Sequence, residues 1–80
     1  MKKWHEMSAN VVHCAWAMRK CRDVGKEIPA KATEKMNSIF DAEEIRFIKA
    51  YIALPDATGA DYMTVEEMEN KSNAAGRLED

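Results

Sequence analysis

The strongest constraint on the fold is the spacing of apolar residues near the N-terminus. Six such side chains recur there at alternating steps of three and four residues: Trp4, Met7, Val11, Cys14, Met18 and Cys21. Steps of three and four keep side chains on one side of a helix, whereas a half-buried strand requires steps of two. The pattern predicts a first helix within residues 1–25, from Lys3 to Val24. Gly25 is suited to the left-handed conformation that follows many helices.

A break and a capping pattern predict a central helical pair over residues 29–54. Pro29 suits a helix start, and a short helix is expected over residues 30–38. Asp41 is followed three residues later by Glu44, which is the spacing of a capping box. The next helix is therefore expected to begin after Asp41 and to end at Leu54, immediately before Pro55.

The last part of the chain repeats this organisation. Residues 55–63 have the composition of a loop. Thr64 and Glu67 have the spacing of a second capping box, which predicts a last helix within residues 64–80, running from Val65 to about Ala75. Weak helix formers follow, so fraying is expected beyond Lys71.

The chain length permits one hydrophobic core, because a domain of 80 residues buries only roughly 60–65% of the surface of its unfolded chain. No segment alternates long enough to predict a strand. We therefore expect one all-α domain over residues 1–80, a small bundle of three to four short helices. The apolar run at residues 14–18 is far shorter than the roughly 20 residues of a membrane span. A cytoplasmic protein with no membrane partner is expected.

A second row of side chains indicates a binding surface. Projection at about 100° per residue places this row opposite the first one. Its members are His5, Ala9, Val12 and Trp16, with Lys20 one turn further along, where its ammonium would approach the indole. A helix with apolar residues on two sides is either covered on both or presents one side to a partner. Because exposed tryptophan is a favoured interface anchor, we predict that this row binds a protein partner.

The chemically reactive side chains do not form a recognisable site. Cys14 and Cys21 lie roughly 10.5 Å apart along one helix, which is too far for a disulfide between them. Neither His5 nor His13 lies one helical turn from a cysteine, and the spacing matches no zinc motif. The three glycines are scattered, so a phosphate-binding loop is not expected. The sequence predicts no enzyme, no cofactor and no metal.

Charge is distributed unevenly, which leaves a nucleic-acid alternative. Residues 1–40 carry eight basic and four acidic residues, a net +4, whereas residues 41–80 carry four and ten, a net −6. Basic residues cluster around the first helix junction and are candidates for contact with an anion or nucleic acid: Arg19, Lys20, Arg22, Lys26, Lys31 and Lys35. Such a patch is suited to phosphates.

Residues 41–78 also resemble the helix-turn-helix of phage small terminase subunits. In that family an aromatic-rich helix is followed by an Asn-Ala-Thr turn and a second helix. Phe47 and Tyr51 followed by 56–58 (Asp-Ala-Thr) stand in the matching order. The resemblance implies DNA binding by the last helix, although Glu66, Glu67 and Glu69 there would repel phosphates.

The preferred interpretation is a small non-enzymatic helical protein that binds another protein as an inhibitor or adaptor. One example of this class is a phage-encoded inhibitor of a host system such as host defence. If the partner is a second copy of the chain, the same surface would form a homodimer. The alternative is a DNA-binding helix-turn-helix regulator that uses the basic cluster between Arg19 and Lys35.

Overall fold

The computed structural model describes the backbone of residues 2–79 and the side chains of residues 2–74. Four helices make up this part of the chain: α1 (Ala9–Asp23), α2 (Ala30–Ile39), α3 (Ala42–Ala53) and α4 (Val65–Glu79). Two short 3-10 turns, Trp4–Glu6 and Ala60–Tyr62, accompany them. The prediction of an all-α bundle is confirmed.

The first helix is shorter than the sequence predicts. It begins at Ala9 instead of Lys3, because the preceding segment pairs with the start of α4. The backbone N–H of Trp4 donates to the Met63 carbonyl oxygen (2.9 Å), and Lys3 forms an isolated antiparallel bridge with Thr64. These non-local hydrogen bonds compete with helix continuation. Trp4 therefore enters the core from a separate turn.

Capping residues define the starts of α3 and α4, as the sequence predicts. Asp41 Oδ1 accepts from the Glu44 N–H (2.8 Å), and the Asp41 N–H donates to the Glu44 carboxylate (3.0 Å). The Thr64 hydroxyl accepts from the Glu67 N–H (3.3 Å), and the Thr64 N–H donates to the Glu67 carboxylate (3.2 Å). Gly25 has a φ of 74°, the left-handed conformation expected after α1.

Helix α3 is the centre of the bundle. Helix α1 packs along it, and α4 packs against another of its sides. The core consists of residues that are almost fully buried: Trp4, Val11, Ala15, Met18, Met36, Phe47, Ile48, Ala50, Tyr51, Leu54, Ala60, Met63, Val65 and Met68. The Trp4 and Tyr51 rings stack with their centroids 4.5 Å apart. Non-local aromatic packing thus links the N-terminal turn to the central helix.

Helix α2 packs less closely than α3, and helix α4 is longer than the sequence predicts. Met36 is the fully buried side chain of α2, so this helix rests on the bundle through a narrow contact. Helix α4 continues to Glu79, beyond the predicted end at about Ala75. The predicted helix limit at residue 80 lies outside the described residues.

Candidate binding surfaces

Four residues of the predicted binding row lie on one side of α1, which we call the outer face: Ala9, Val12, Trp16 and Lys20. Ala9, Trp16 and Lys20 are exposed, and Val12 is half-buried where this face meets the core. The Trp16 side chain is 53% exposed. The core side of the same helix carries Ala15 and its buried neighbours, so the helix is covered on one side.

His5 lies elsewhere. It belongs to the N-terminal 3-10 turn, and its ring centroid is 5.6 Å from that of Tyr62 in the second turn. The helical projection grouped His5 with Trp16 because it assumed one continuous helix. The structure separates the two residues by the extended backbone at Met7 and Ser8.

The expected contact between Lys20 and the Trp16 indole is replaced by another pair. The His13 ring centroid lies 6.0 Å from that of Trp16, one helical turn away. Among the described side chains, the cation–π contact is formed instead by the Arg19 guanidinium, 5.4 Å from the centre of the Tyr51 ring. Trp16 therefore keeps an aromatic neighbour and a free outer surface.

Two arginines of the predicted basic cluster serve the fold. Arg19 Nη1 donates to the Tyr51 carbonyl oxygen (2.7 Å). Arg22 Nη1 donates to the carbonyl oxygens of Ile52 (2.9 Å) and Leu54 (2.7 Å). The carbonyls at the C-terminus of a helix carry partial negative charge and can accept further hydrogen bonds, so both guanidinium groups cap the C-terminus of α3.

The lysines of the same cluster remain on the surface. Lys20, Lys26, Lys31 and Lys35 are all exposed. Lys35 lines a groove of about 430 Å³ between α1 and α2. The basic cluster is thus divided between two arginines that cap α3 and four exposed lysines.

The groove is the feature that sequence reasoning missed. Met18 and Met36 are its most buried lining residues, and Ile39 is 56% exposed beside them. His13 lines the groove as well as contacting Trp16, so the groove adjoins the outer face of α1. Its existence depends on how α2 docks against α1, which local periodicity does not specify. The sequence feature that could have indicated this groove is the apolar Ile39 at the end of α2.

The cysteines are free thiols in half-buried positions. Cys14 Sγ lies 3.7 Å from Met18 Sδ. Burial raises the pKa of the Cys14 thiol, and the nearby charge of Lys35 offsets this only in part. A raised pKa favours the unreactive protonated thiol at neutral pH.

Helices α3 and α4 do not have the short connection of the helix-turn-helix that the resemblance implies. Residues 54–64 separate these helices and include a 3-10 turn, whereas the DNA-binding motif uses a turn of roughly three or four residues. Glu66 and Glu67 are exposed in the first turn of α4. Glu69 accepts two hydrogen bonds from Arg46, at 3.0 and 2.7 Å. The outward surface at the start of α4 is acidic.

Comparisons with known proteins identify no relative. No protein-family model, curated protein or solved structure matches this chain.

Among residues 2–79, every helix is too short or too polar to cross a membrane. The described side chains include no cluster of three or more histidine, cysteine or acidic residues placed to hold a metal ion. The surfaces of α1 and α2 are the basis for a functional proposal.

Proposed function

We propose that this protein is a non-enzymatic module that binds another protein through the outer face of α1. The exposure of Trp16 (53%) carries this proposal. The core is filled by Trp4 and other side chains without any contribution from Trp16. Tryptophan supplies a large apolar contact area and is enriched among residues that dominate binding energy.

The surroundings of Trp16 support the same function. Ala9 is small and leaves room for a partner at one end of the face, and Lys20 supplies a charged edge at the other. Val12 is partly supported by the core, so this part of the face is held rigidly. Interfaces commonly combine a central aromatic anchor with a polar rim.

The environment of Cys14 argues against this thiol as a nucleophile. A nucleophilic cysteine requires a thiolate, and burial raises the pKa of this thiol instead of lowering it. The proposed mode of action is steric: the module covers a partner's surface as an inhibitor, or joins two partners as an adaptor. A phage-encoded inhibitor of a host system is the specific form of this proposal.

The test is affinity capture from the cells in which the protein occurs, followed by reconstitution with the purified partner. Trp16→Ala is compared with Val24→Ala, because Val24 is equally exposed (59%) but lies at the C-terminal end of α1. We expect one stoichiometric partner that is retained by wild type and Val24→Ala. Trp16→Ala is expected to weaken the reconstituted complex by at least about 2 kcal/mol, or roughly thirtyfold.

Three results would contradict this proposal. One is a partner whose affinity is the same for wild type and Trp16→Ala. Another is equal loss of affinity in both variants, which would indicate non-specific apolar binding. A third is capture of nucleic acid alone with salt-sensitive affinity, which would favour the DNA-binding alternative. Self-association that Trp16→Ala abolishes would identify the partner as a second copy of the chain.

A further inference from the structure

The groove between α1 and α2 has an apolar floor, and its polar lining residues are Asn10, His13 and Lys35. Met18 and Met36 are buried at its base, and Phe40 is half-buried at one end. Ala17 and Ala32 contribute short side chains that leave the space between the helices open. Methionine side chains adapt to irregular apolar partners, so this floor is suited to aliphatic or aromatic anchors.

The charged side chain that lines this groove is basic. The groove's lining residues include Lys35 and no acidic side chain. Lys31 lies one helical turn before Lys35 on the same exposed edge of α2. On α1, Lys20 follows the lining residue Ala17 at a spacing of three and is exposed. Lys35 therefore lines the groove, and one exposed lysine lies a helical turn from its lining residues on each helix.

The start of α4 in a second copy of the chain is a poor occupant of this groove. The acidic surface of the chain includes the start of α4, where Glu66 and Glu67 are exposed. The apolar residues of the same turns, Val65 and Met68, are buried in the chain's own core. A second copy would supply negative charge there without an apolar anchor.

We propose that the groove between α1 and α2 binds an acidic amphipathic helix of the partner protein. Its apolar face would contact the methionine floor, and its acidic flanks would face Lys20, Lys31 and Lys35. Recognition of an amphipathic helix in an apolar groove is a common mode of peptide binding. Charge complementarity selects acidic flanks over basic ones. This inference rests on the proposed function and identifies the chemistry of the partner.

His13 connects this groove with the outer face of α1. It lines the groove, and its ring lies 6.0 Å from that of Trp16. One partner can therefore place a helix in the groove and a second segment against Trp16. The two contacts form one continuous surface.

The test uses two synthetic helical peptides of about 15 residues, a length at which isolated helices become marginally stable. One peptide has leucines at helical spacing and glutamates elsewhere, and its match has lysines in place of the glutamates. Binding to the full chain is measured by fluorescence anisotropy at low and moderate salt. We expect the acidic peptide to bind at least about tenfold more tightly than the basic one, with affinity falling as salt rises.

Three variants locate the binding site. Lys35→Glu is expected to reduce the affinity for the acidic peptide by about tenfold or more. Lys71→Glu makes the same charge change at an exposed position of α4 and is expected to reduce this affinity less. Ala17→Trp fills the groove from an exposed position and is expected to abolish binding. Circular dichroism of each variant verifies that the helices remain folded.

The outcomes separate this inference from the proposed function. Equal binding of both peptides, no binding of the acidic peptide, or equal effects of Lys35→Glu and Lys71→Glu would overturn the groove inference. If Trp16→Ala still removed the partner, the proposed function would stand without it. Conversely, Lys35-dependent peptide binding together with unchanged partner affinity in Trp16→Ala would support the groove and reject the outer face.

Discussion

The two tryptophans of this chain occupy opposite environments. Trp4 is 1% exposed and stacks on Tyr51, whereas Trp16 is 53% exposed beside His13. The same residue type therefore performs two different tasks. Trp4 stabilises the fold, and Trp16 is the proposed anchor for a partner.

Alanine substitution of each tryptophan separates these roles. Trp4→Ala removes a large buried side chain and is expected to lower the free energy of unfolding by about 3–5 kcal/mol. Trp16→Ala removes an exposed side chain and is expected to change it by no more than about 0.5 kcal/mol. Urea denaturation monitored by circular dichroism measures both. A loss of several kcal/mol in Trp16→Ala would show that Trp16 belongs to the structural core.

Arg19 is another residue whose role depends on a distant part of the chain. Its side chain is 11% exposed, and it donates to the Tyr51 carbonyl oxygen. Arg19→Met keeps much of the aliphatic stem but leaves this carbonyl without its charged donor, so we expect a loss of about 1–3 kcal/mol in unfolding free energy. Lys20→Met is the exposed neighbour control and should be nearly neutral. Equal effects of both substitutions would contradict the capping role of Arg19.

Local sequence signals predicted some residues well and others poorly. The capping pairs that begin with Asp41 and Thr64 were predicted because each is complete within one turn. The first helix was predicted to begin at Lys3, but it begins at Ala9. This start depends on the pairing of Trp4 with Met63, which is far along the chain. Arg19 was assigned to an anion-binding cluster because its carbonyl partner also lies on another helix.

At the scale of elements, an ion pair connects α3 with α4. Arg46 donates to both carboxylate oxygens of Glu69, from Nε at 3.0 Å and from Nη2 at 2.7 Å. These hydrogen bonds lower the pKa of Glu69 below its ordinary value. The pair therefore contributes to stability above the pKa that Glu69 has in the unfolded chain. This contribution is lost as the pH falls through the lower pKa of the folded state.

The pH dependence of one variant tests this connection. Glu69→Gln is expected to be less stable than wild type at neutral pH, and the difference should shrink at about pH 3, as the carboxyl protonates. Urea midpoints at both pH values measure the change. Glu34→Gln, on the exposed side of α2, is the control and should show little difference at either pH. A destabilisation by Glu69→Gln that is the same at both pH values would contradict the ion-pair explanation.

Helix α2 shows where element-level reasoning from sequence ends. Its start follows from Pro29, which suits the beginning of a helix. Its packing does not, because Met36 alone among its residues is fully buried. The groove beside it is a property of helix docking, so the sequence predicted the helix but missed the groove.

At the scale of the whole molecule, the uneven charge of the sequence has a structural counterpart. Lys35 lines the groove between α1 and α2 and exposed lysines lie on both of these helices, whereas α4 begins with an exposed acidic turn. The all-α fold was predictable because helical periodicity and capping act locally. In the combined surface, the part that contains Trp16 was predictable from one helix. The groove was not, since it requires two helices to be placed side by side.

Fluorine NMR of the chain labelled with 5-fluorotryptophan tests the central claim most directly, because it reports both tryptophans without altering the surface. Trp16→Phe assigns the two resonances. In the free chain, we predict that a soluble paramagnetic agent broadens the Trp16 resonance and leaves that of Trp4 sharp. Addition of the partner is predicted to protect Trp16. A Trp16 resonance that is already protected in the monomeric chain, or that remains fully accessible in the complex, would contradict the assignment of the outer face of α1 as the binding surface.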